Sequence, residues 1–583
     1  MLWPAAALAH ATLESTSPAR GALVAHEPSD VVFGFDQTVE GNFGAVRVYD
    51  SRGNRVDQGD AFHPGGTGSL IGSHLKPGLP KGSYTATYRV VSADGHIVSG
   101  GFLFSIGRAG LGAGLTVAQL LGKSKTGAAT EIAFGAARAL QFGSIAVAVG
   151  AFAFLMLIWL PALSALAGGS EAWRAASEAF ARRLRVLLLL AALVGAISAL
   201  AGVVLEAAEA AGISGWAALK PHVLNEEIGT RFGKFWTAGA AAWLGVGVVA
   251  TGLLSPRARR APVLRPASLG AAGLAPPTLP GRILTVVMGV PLALLVLLPV
   301  VSGHGDTQHP VGVMFAATLI HVTAVSVWFG GLATVLVALP AATRRLEGPD
   351  RIRLLVGVVS RFSPFALGAV IVLLTTGLVQ SYVEIRHFNL VTSTPFGRAV
   401  LIKFCVLIAL IGLGAFNQRR LLPRLRSLAR AGQAAGQAGV LLRRSIRTEV
   451  ALLVVVFGVV GALASYAPSI AQYSGPYQTT TNIGPEQLQL VLDPARVGSN
   501  QLHLYLIDPK TGAPIDNAQQ LTVAESLPSK QIGPLNQSGV KSGPGHYTVP
   551  GVLLNVPGTW SLAVTILVSK FDEYTATVKV PVQ

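Results

Sequence analysis

Three residues far apart in the chain have the types and spacing of a metal chelate: His10 near the amino terminus, and Asp94 and His96 within the run Ser92-Ala-Asp-Gly-His96. The segment 1–9 ends in the small-x-small pattern of a signal-peptidase site, so cleavage after Ala9 makes His10 the mature terminus. A terminal histidine offers two donors, its α-amine and its imidazole. Asp94 and His96 complete a square-planar N/O set of the kind Cu(II) prefers. Read alone, Asp94-Gly95 is equally an ordinary turn and His10 an ordinary frayed end, because D-x-H tripeptides are common. His26, His63 and His74 read as surface histidines.

A second polar group interrupts a long apolar region: Ser302-Gly-His304-Gly-Asp306-Thr-Gln-His309, followed by Met314 and His321. Ionisable residues at membrane depth are costly, and their presence points to function. His321 falls about nine residues into its span, or about 13 Å down a helix rising about 1.5 Å per residue. On an uninterrupted helix His309 and His321 lie within about 120° of each other with Met314 between them in depth, unless Pro310 breaks that helix. Glu206, His222, His387 and Cys405 are further candidates on the outer half, and His222 and His387 read as interface residues. Met314 and Cys405 are soft ligands suited to Cu(I). Reduction from Cu(II) then requires an external reductase or a copper chaperone as partner.

The elements that must position these groups are set by composition. Of 583 residues, 51% are hydrophobic and 13% charged, with a mean hydropathy of +0.54, so the chain is a multi-pass α-helical membrane protein. About eight spans are expected, near 140–166, 184–210, 233–254, 283–302, 312–340, 363–383, 397–417 and 448–468. Arginines gather in every odd-to-even loop: Arg174 to Arg185, Arg257 to Arg265, Arg344 to Arg353 and Arg419 to Arg447. The positive-inside rule makes those loops cytoplasmic and both termini extracytoplasmic, in the cytoplasmic (inner) cell membrane. Spread this way, the net charge of +17 reflects topology and a lipid bilayer partner, not nucleic acid. Residues 255–282 and 429–438 read as flexible cytoplasmic linkers.

Cys405 is the single cysteine, so both extramembrane regions lack an intrachain disulfide and depend on packing. Leu488 to Leu492, Leu502 to Leu506, Trp560 to Val564 and Tyr574 to Val580 alternate apolar and polar residues, the signature of an antiparallel β-sandwich. His503 and His546 in this region have no ligand-spaced neighbour, and a docking or stabilising module is the favoured reading. The expected division is a signal-like segment 1–9, a β-sandwich 10–107, a glycine-rich linker 108–130, a membrane domain 131–470 and a second extracytoplasmic β-sandwich 471–583.

Three resemblances sharpen these expectations. His10 to Pro18, Val31-Val-Phe-Gly-Phe35, Gly82-Ser-Tyr84 and Tyr88 to Phe102 resemble the CopC family of copper-binding β-sandwiches across residues 10–107. The resemblance implies Cu(II) held by His10, Asp94 and His96. It departs from the family at Phe35-Asp36-Gln37, where Gln37 stands in place of a supporting carboxylate and Asp36 is expected on the other sheet face. The domain also lacks the methionines of Cu(I)-binding relatives.

Phe362 to Leu378, Thr394 to Phe404, Ala415 to Pro423 and His321 to Gly331 resemble the CopD family of copper-resistance membrane proteins, over most of residues 130–468. Asp508-Pro-Lys-Thr-Gly512 and Gly545 to Val549 are similar to the YtkA-like domain. Together these imply a CopC–CopD fusion, not an enzyme, that binds copper outside and imports it; His304, His309, Met314, His321 and Cys405, read from their own types and placement, are the expected membrane path. The sequence has neither a Gly-x-x-x-x-Gly-Lys-Ser/Thr loop nor an Asp-Lys-Thr-Gly loop, which disfavours an ATP-driven pump. Two alternatives remain at this level: a haem-bearing redox membrane protein with histidine ligands, and a copper-binding assembly factor or sensor that transports nothing.

Overall fold

The computed structural model describes residues 11–107, 126–252, 279–466 and 477–582, with Leu120. Within those ranges it omits Thr12, Gly21, Asn42, Phe43, Ser51, Asp94, Gly168, Gly169, His304, Asp306, His387, Pro494 and Gly512. His10, Asp94, His304 and His387 therefore lie outside the described residues, as do segment 1–9 and most of 108–130.

The amino-terminal region folds as a β-sandwich. One sheet has the order β1 (Leu13–Ser17), β3 (Asp30–Phe35), β6 (Leu70–His74). The other runs β2 (Leu23–Val24), β8 (Ile97–Ile106), β7 (Gly82–Ser92), β4 (Val39–Glu40), with β5 (Val46–Tyr49) also on β7. Period-two alternation sends Val31, Phe33 and Phe35 of β3 inward. There Phe33 meets Tyr88 at 5.0 Å and Phe102 at 5.3 Å between ring centroids. Such aromatic pairs add to the burial that must stabilise a domain without disulfides. β7 and β8 form a long hairpin whose connection contains Asp94 and His96.

The helical region contains α1 (Ala128–Leu166), α2 (Glu171–Ala211), α3 (Arg231–Gly252), α4 (Leu279–Val301), α5 (Val311–Thr343), α6 (Gly348–Ile385), α7 (Pro395–Arg430) and α8 (Gly436–Leu463). Seven of these are long and apolar enough to cross a membrane, and the eighth expected span corresponds to the shorter apolar stretch Thr285–Val301 of α4. α1 and α5 touch backbone to backbone: a side-chain carbon at Gly150 would lie 1.9 Å from the Ser326 carbonyl oxygen, and one at Gly330 would lie 2.3 Å from that of Ala146. Small residues permit such approach in a setting where the hydrophobic effect does not drive helices together.

Several arginines read as loop residues are helical. Arg182, Arg183 and Arg185 lie on α2, Arg351 and Arg353 on α6, and Arg443, Arg444 and Arg447 on α8. Helical backbone hydrogen bonds persist outside the hydrocarbon and arginine is a good helix former, so the helices outrun the apolar runs. For the same reason 429–438 is not one flexible linker: α7 runs to Arg430 and α8 begins at Gly436.

The carboxy-terminal region is a second antiparallel sandwich. Its larger sheet is ordered β14 (Val540–Gly543), β15 (His546–Leu554), β11 (Gly498–Ile507), β10 (Glu486–Asp493), β9 (Tyr477–Ile483). The smaller is β13 (Ile532–Ser538), β12 (Gln520–Leu527), β16 (Gly558–Leu567), β17 (Glu573–Val582). The four runs that alternate in sequence all lie in these strands, and Leu490, Leu504, Trp560, Leu562 and Val580 meet in the core. One core-facing position of β12 breaks the pattern: Glu525 is fully buried between Val523 and Leu527.

The described residues of 1–127, 207–226 and 467–583 form one compact unit, and those of 128–206 and 227–466 form another.

Candidate metal centres

The first centre is built on the β7–β8 hairpin. Val91 pairs with Ile97 at its mouth, the Ser92 N–H donates to the His96 carbonyl at 2.8 Å, and the Gly95 N–H returns to the Ser92 carbonyl at 2.9 Å. Gly95 has φ +82°, a conformation in which a side chain is strained, so the hairpin connection calls for glycine at this position. His96 is half-buried beside it. The Ser92 hydroxyl also accepts a buried hydrogen bond from the Ala11 N–H at 3.0 Å. Ala11, the neighbour of His10 in sequence, is thereby held against the hairpin that carries His96, although it lies 81 positions from Ser92. His10 and Asp94 themselves lie outside the described residues.

Asp36 is exposed beyond β3, where its charge acts on Arg496, and Gln37 is half-buried. His63 and His74 are occupied elsewhere. The His63 Nδ1–H donates to the Leu70 carbonyl, and His74 pairs through Nδ1 with the Asp60 carboxylate while stacking on Phe62 at 4.3 Å.

The second centre lies among α5, α6 and α7. His321 Nδ1 is 2.8 Å from Thr376 Oγ1, and the Thr376 hydroxyl donates to the Val372 carbonyl at 2.7 Å. The threonine proton is thus committed, so His321 donates from Nδ1 and keeps its lone pair on Nε2. That lone pair faces Lys403 Nζ at 3.4 Å. One helical turn away on each helix, Gln380 donates to Thr318 at 3.3 Å. Gly305 sits over this rung, since a side-chain carbon there would lie 3.3 Å from Thr318 Cβ. Gly305 therefore lies over the Thr318 end of a polar ladder that leads to His321.

Met314 is buried and lies seven residues before His321, which places both on one face of α5 about 10 Å apart. Among the described residues, His309 and Cys405 are not brought to this ladder. Helix α5 begins at Val311 behind Pro310, so His309 precedes it, is exposed, and has no helical phase relative to His321. Cys405 is exposed and two positions from Lys403, a spacing that turns it to another face of α7. Glu206 is paired instead, 3.5 Å from Arg138, whose guanidinium lies 3.7 Å above the Phe134 ring.

Lys403, Thr376 and Gln380 were missed by reading the sequence for metal ligands. Lys403 had a signal: it is a charged residue inside an apolar span. Thr376 and Gln380 had none, because their partners lie on a different helix.

The comparisons with known proteins agree with this architecture. The family model of the CopC domain matches residues 13–107, that of the Copper resistance protein D-like N-terminal domain matches 129–281, and that of Copper resistance protein D matches 356–463. The chain is 26% identical over 585 residues to the Copper transport protein CutJ of Bacillus subtilis (strain 168), covering 98% of this chain and 95% of that protein. Among solved structures, CopC from Methylosinus trichosporium OB3b is 31% identical, covering 17% of this chain and 93% of that one with a TM-score of 0.15. PcoC, a methionine-rich copper resistance protein from Escherichia coli, is 23% identical, covering 17% and 98%, also at 0.15.

Proposed function

This chain belongs to the copper-resistance proteins that fuse a CopC domain to a CopD membrane region, and from that premise we propose that it captures copper outside the membrane and imports it. Copper is the cargo. Cu(II) is held first by the His10 amine and imidazole with Asp94 and His96, a nitrogen- and oxygen-rich set suited to Cu(II). The observation that carries this reading is the Ala11 to Ser92 hydrogen bond, which holds the residue after His10 against the β7–β8 hairpin.

The inward route runs from the 302–309 loop, along the Thr318–Gln380 rung and Met314, to the Nε2 lone pair of His321. Lys403 acts there as a tethered cation that occupies the copper position until copper displaces it. Like charges about 4 Å apart repel by about 4 kcal/mol at an effective dielectric near 20, so ammonium and copper do not share the site comfortably. A cytoplasmic assignment of the arginine-bearing helix ends supports an extracytoplasmic location for both β-sandwiches. Reduction to Cu(I) falls to an external reductase or a copper chaperone.

The experiment is copper accumulation in cells expressing the parent and His321→Ala at equal membrane levels. Loss of accumulation in His321→Ala is expected. Parent-like accumulation overturns the route, and a Soret band in the purified protein would instead identify a haem protein.

A further inference from the structure

Strand β11 of the larger carboxy-terminal sheet is buried on both faces. Leu502, Leu504 and Leu506 of β11 fill the core, and on the opposite face Gln501, His503 and Tyr505 are buried as well. In the β11–β15 register Tyr505 stands opposite His546, and His503 opposite Thr548, which sets the two histidines diagonally across neighbouring strands. We propose that His503 and His546 form a second copper site, one that holds Cu(I) between two imidazoles and lies outside the import route argued above.

The geometry is that of a ligand pair joined by a proton. His503 Nδ1 lies 3.2 Å from His546 Nε2. The rings are inclined by 21° with centroids 5.4 Å apart, so the shared proton lies nearly in line between nearly coplanar rings. The side chains are 2% and 3% exposed, and Tyr505 stacks on His546 at 4.2 Å, fixing that ring. At the far end of His503, Nε2 is buried without a hydrogen-bond partner. A buried polar atom left unsatisfied is costly and calls for a reason.

The unpartnered Nε2 of His503 is a basic nitrogen that can take up the proton copper displaces. The His503 ring proton moves from Nδ1 to Nε2, which frees Nδ1, and Cu(I) enters between Nδ1 of His503 and Nε2 of His546. No proton leaves the protein and no electron moves. Two metal–nitrogen bonds of about 2 Å in line require the nitrogens to open from 3.2 Å to about 4 Å, a shift of about 0.4 Å per ring. Burial, reinforced for His503 by the Arg20 charge and for His546 by its partner, holds both imidazoles well below the usual histidine range, so both are neutral donors at neutral pH.

The number of ligands selects the ion. Among the described residues no cluster of three or more His, Cys, Asp or Glu forms, so a tetrahedral Zn²⁺ site would lack half its ligands. Cu(I) accepts two nitrogen donors in line. Its single charge also costs about one quarter as much as a divalent charge to bury, because the ionic desolvation energy scales with charge squared. The nearby Arg20 charge is matched by Asp493 at 3.3 Å.

The test uses the full-length protein carrying His96→Ala and His321→Ala, which disable the two centres of the import reading. Cu(I) is titrated anaerobically against bicinchoninate. One tightly bound equivalent is expected to remain, to show two nitrogen neighbours by X-ray absorption, and to disappear on adding His503→Asn with His546→Gln, while Zn²⁺ gives no matching equivalent. The site is overturned if the His96→Ala/His321→Ala protein binds no Cu(I), or if its bound Cu(I) survives the added pair. X-ray absorption on that protein decides even where the added pair fails to fold. Failure of import in the parent leaves this result unaffected.

Discussion

Arg20 and Asp493, 473 residues apart in sequence, form an ion pair at 3.3 Å that joins the two β-sandwiches. The Arg20 side chain is 18% exposed and that of Asp493 only 6%. Arg20 also donates to the Leu13 carbonyl on β1, two residues beyond Ala11. Burial raises the Asp493 carboxyl above its usual range while Arg20 and Arg496 pull it back. The carboxy-terminal domain thus grips the same amino-terminal strand that leads to position 10.

For this pair, a double-mutant cycle with Arg20→Ala and Asp493→Ala is expected to give a coupling of about 1–3 kcal/mol, in the range of charged hydrogen bonds. Hydrogen exchange of β1 and β10 measures it. Strict additivity would mean that the pair holds nothing together.

Ser92→Ala removes the acceptor that anchors Ala11. A hydrogen bond of about 0.5–1.5 kcal/mol corresponds to a loss in Cu(II) affinity of about three- to tenfold, read by competition titration of the full chain. Unchanged affinity would detach the terminus from the proposed site.

Lys403→Met removes the cation on His321 Nε2. Copper uptake is expected to half-saturate at about tenfold lower copper, or lower still, because the displaced repulsion exceeds about 1.4 kcal/mol. Thr376→Val, which removes the acceptor that orients the ring, is expected to slow uptake in the same assay. A half-saturation unaltered by Lys403→Met would show that copper never meets the lysine.

Glu525 gives the carboxy-terminal sandwich a pH dependence. Burial raises its carboxyl from 4.5 to about 7. The folded state therefore holds a proton that the unfolded state releases, so this contribution is complete below pH 4.5 and is lost as pH rises through about 7. Glu525→Gln is expected to flatten that decline, measured as hydrogen-exchange protection of β12 and β16 between pH 5 and 8 after correction for intrinsic rates. A decline of equal slope in the variant would exclude Glu525 as its source.

The sequence by itself determined the apolar spans, the paired β-sandwiches and the glycine at position 95 of the hairpin connection. Each of these rests on local periodicity or on one residue's backbone preference, and both are written along a single stretch of chain. Tertiary structure decided which polar groups meet. Ala11 reaches Ser92, His321 lies between Thr376 and Lys403, and His503 faces His546 because strand register and helix packing bring together residues 81, 55, 82 and 43 positions apart. Spacing alone left the two carboxy-terminal histidines without a ligand-spaced neighbour and did not bring Thr376 or Lys403 to His321. The first contact is hidden because cross-strand partners have no fixed sequence offset, and the second because depth along a helix does not fix the direction in which a side chain points.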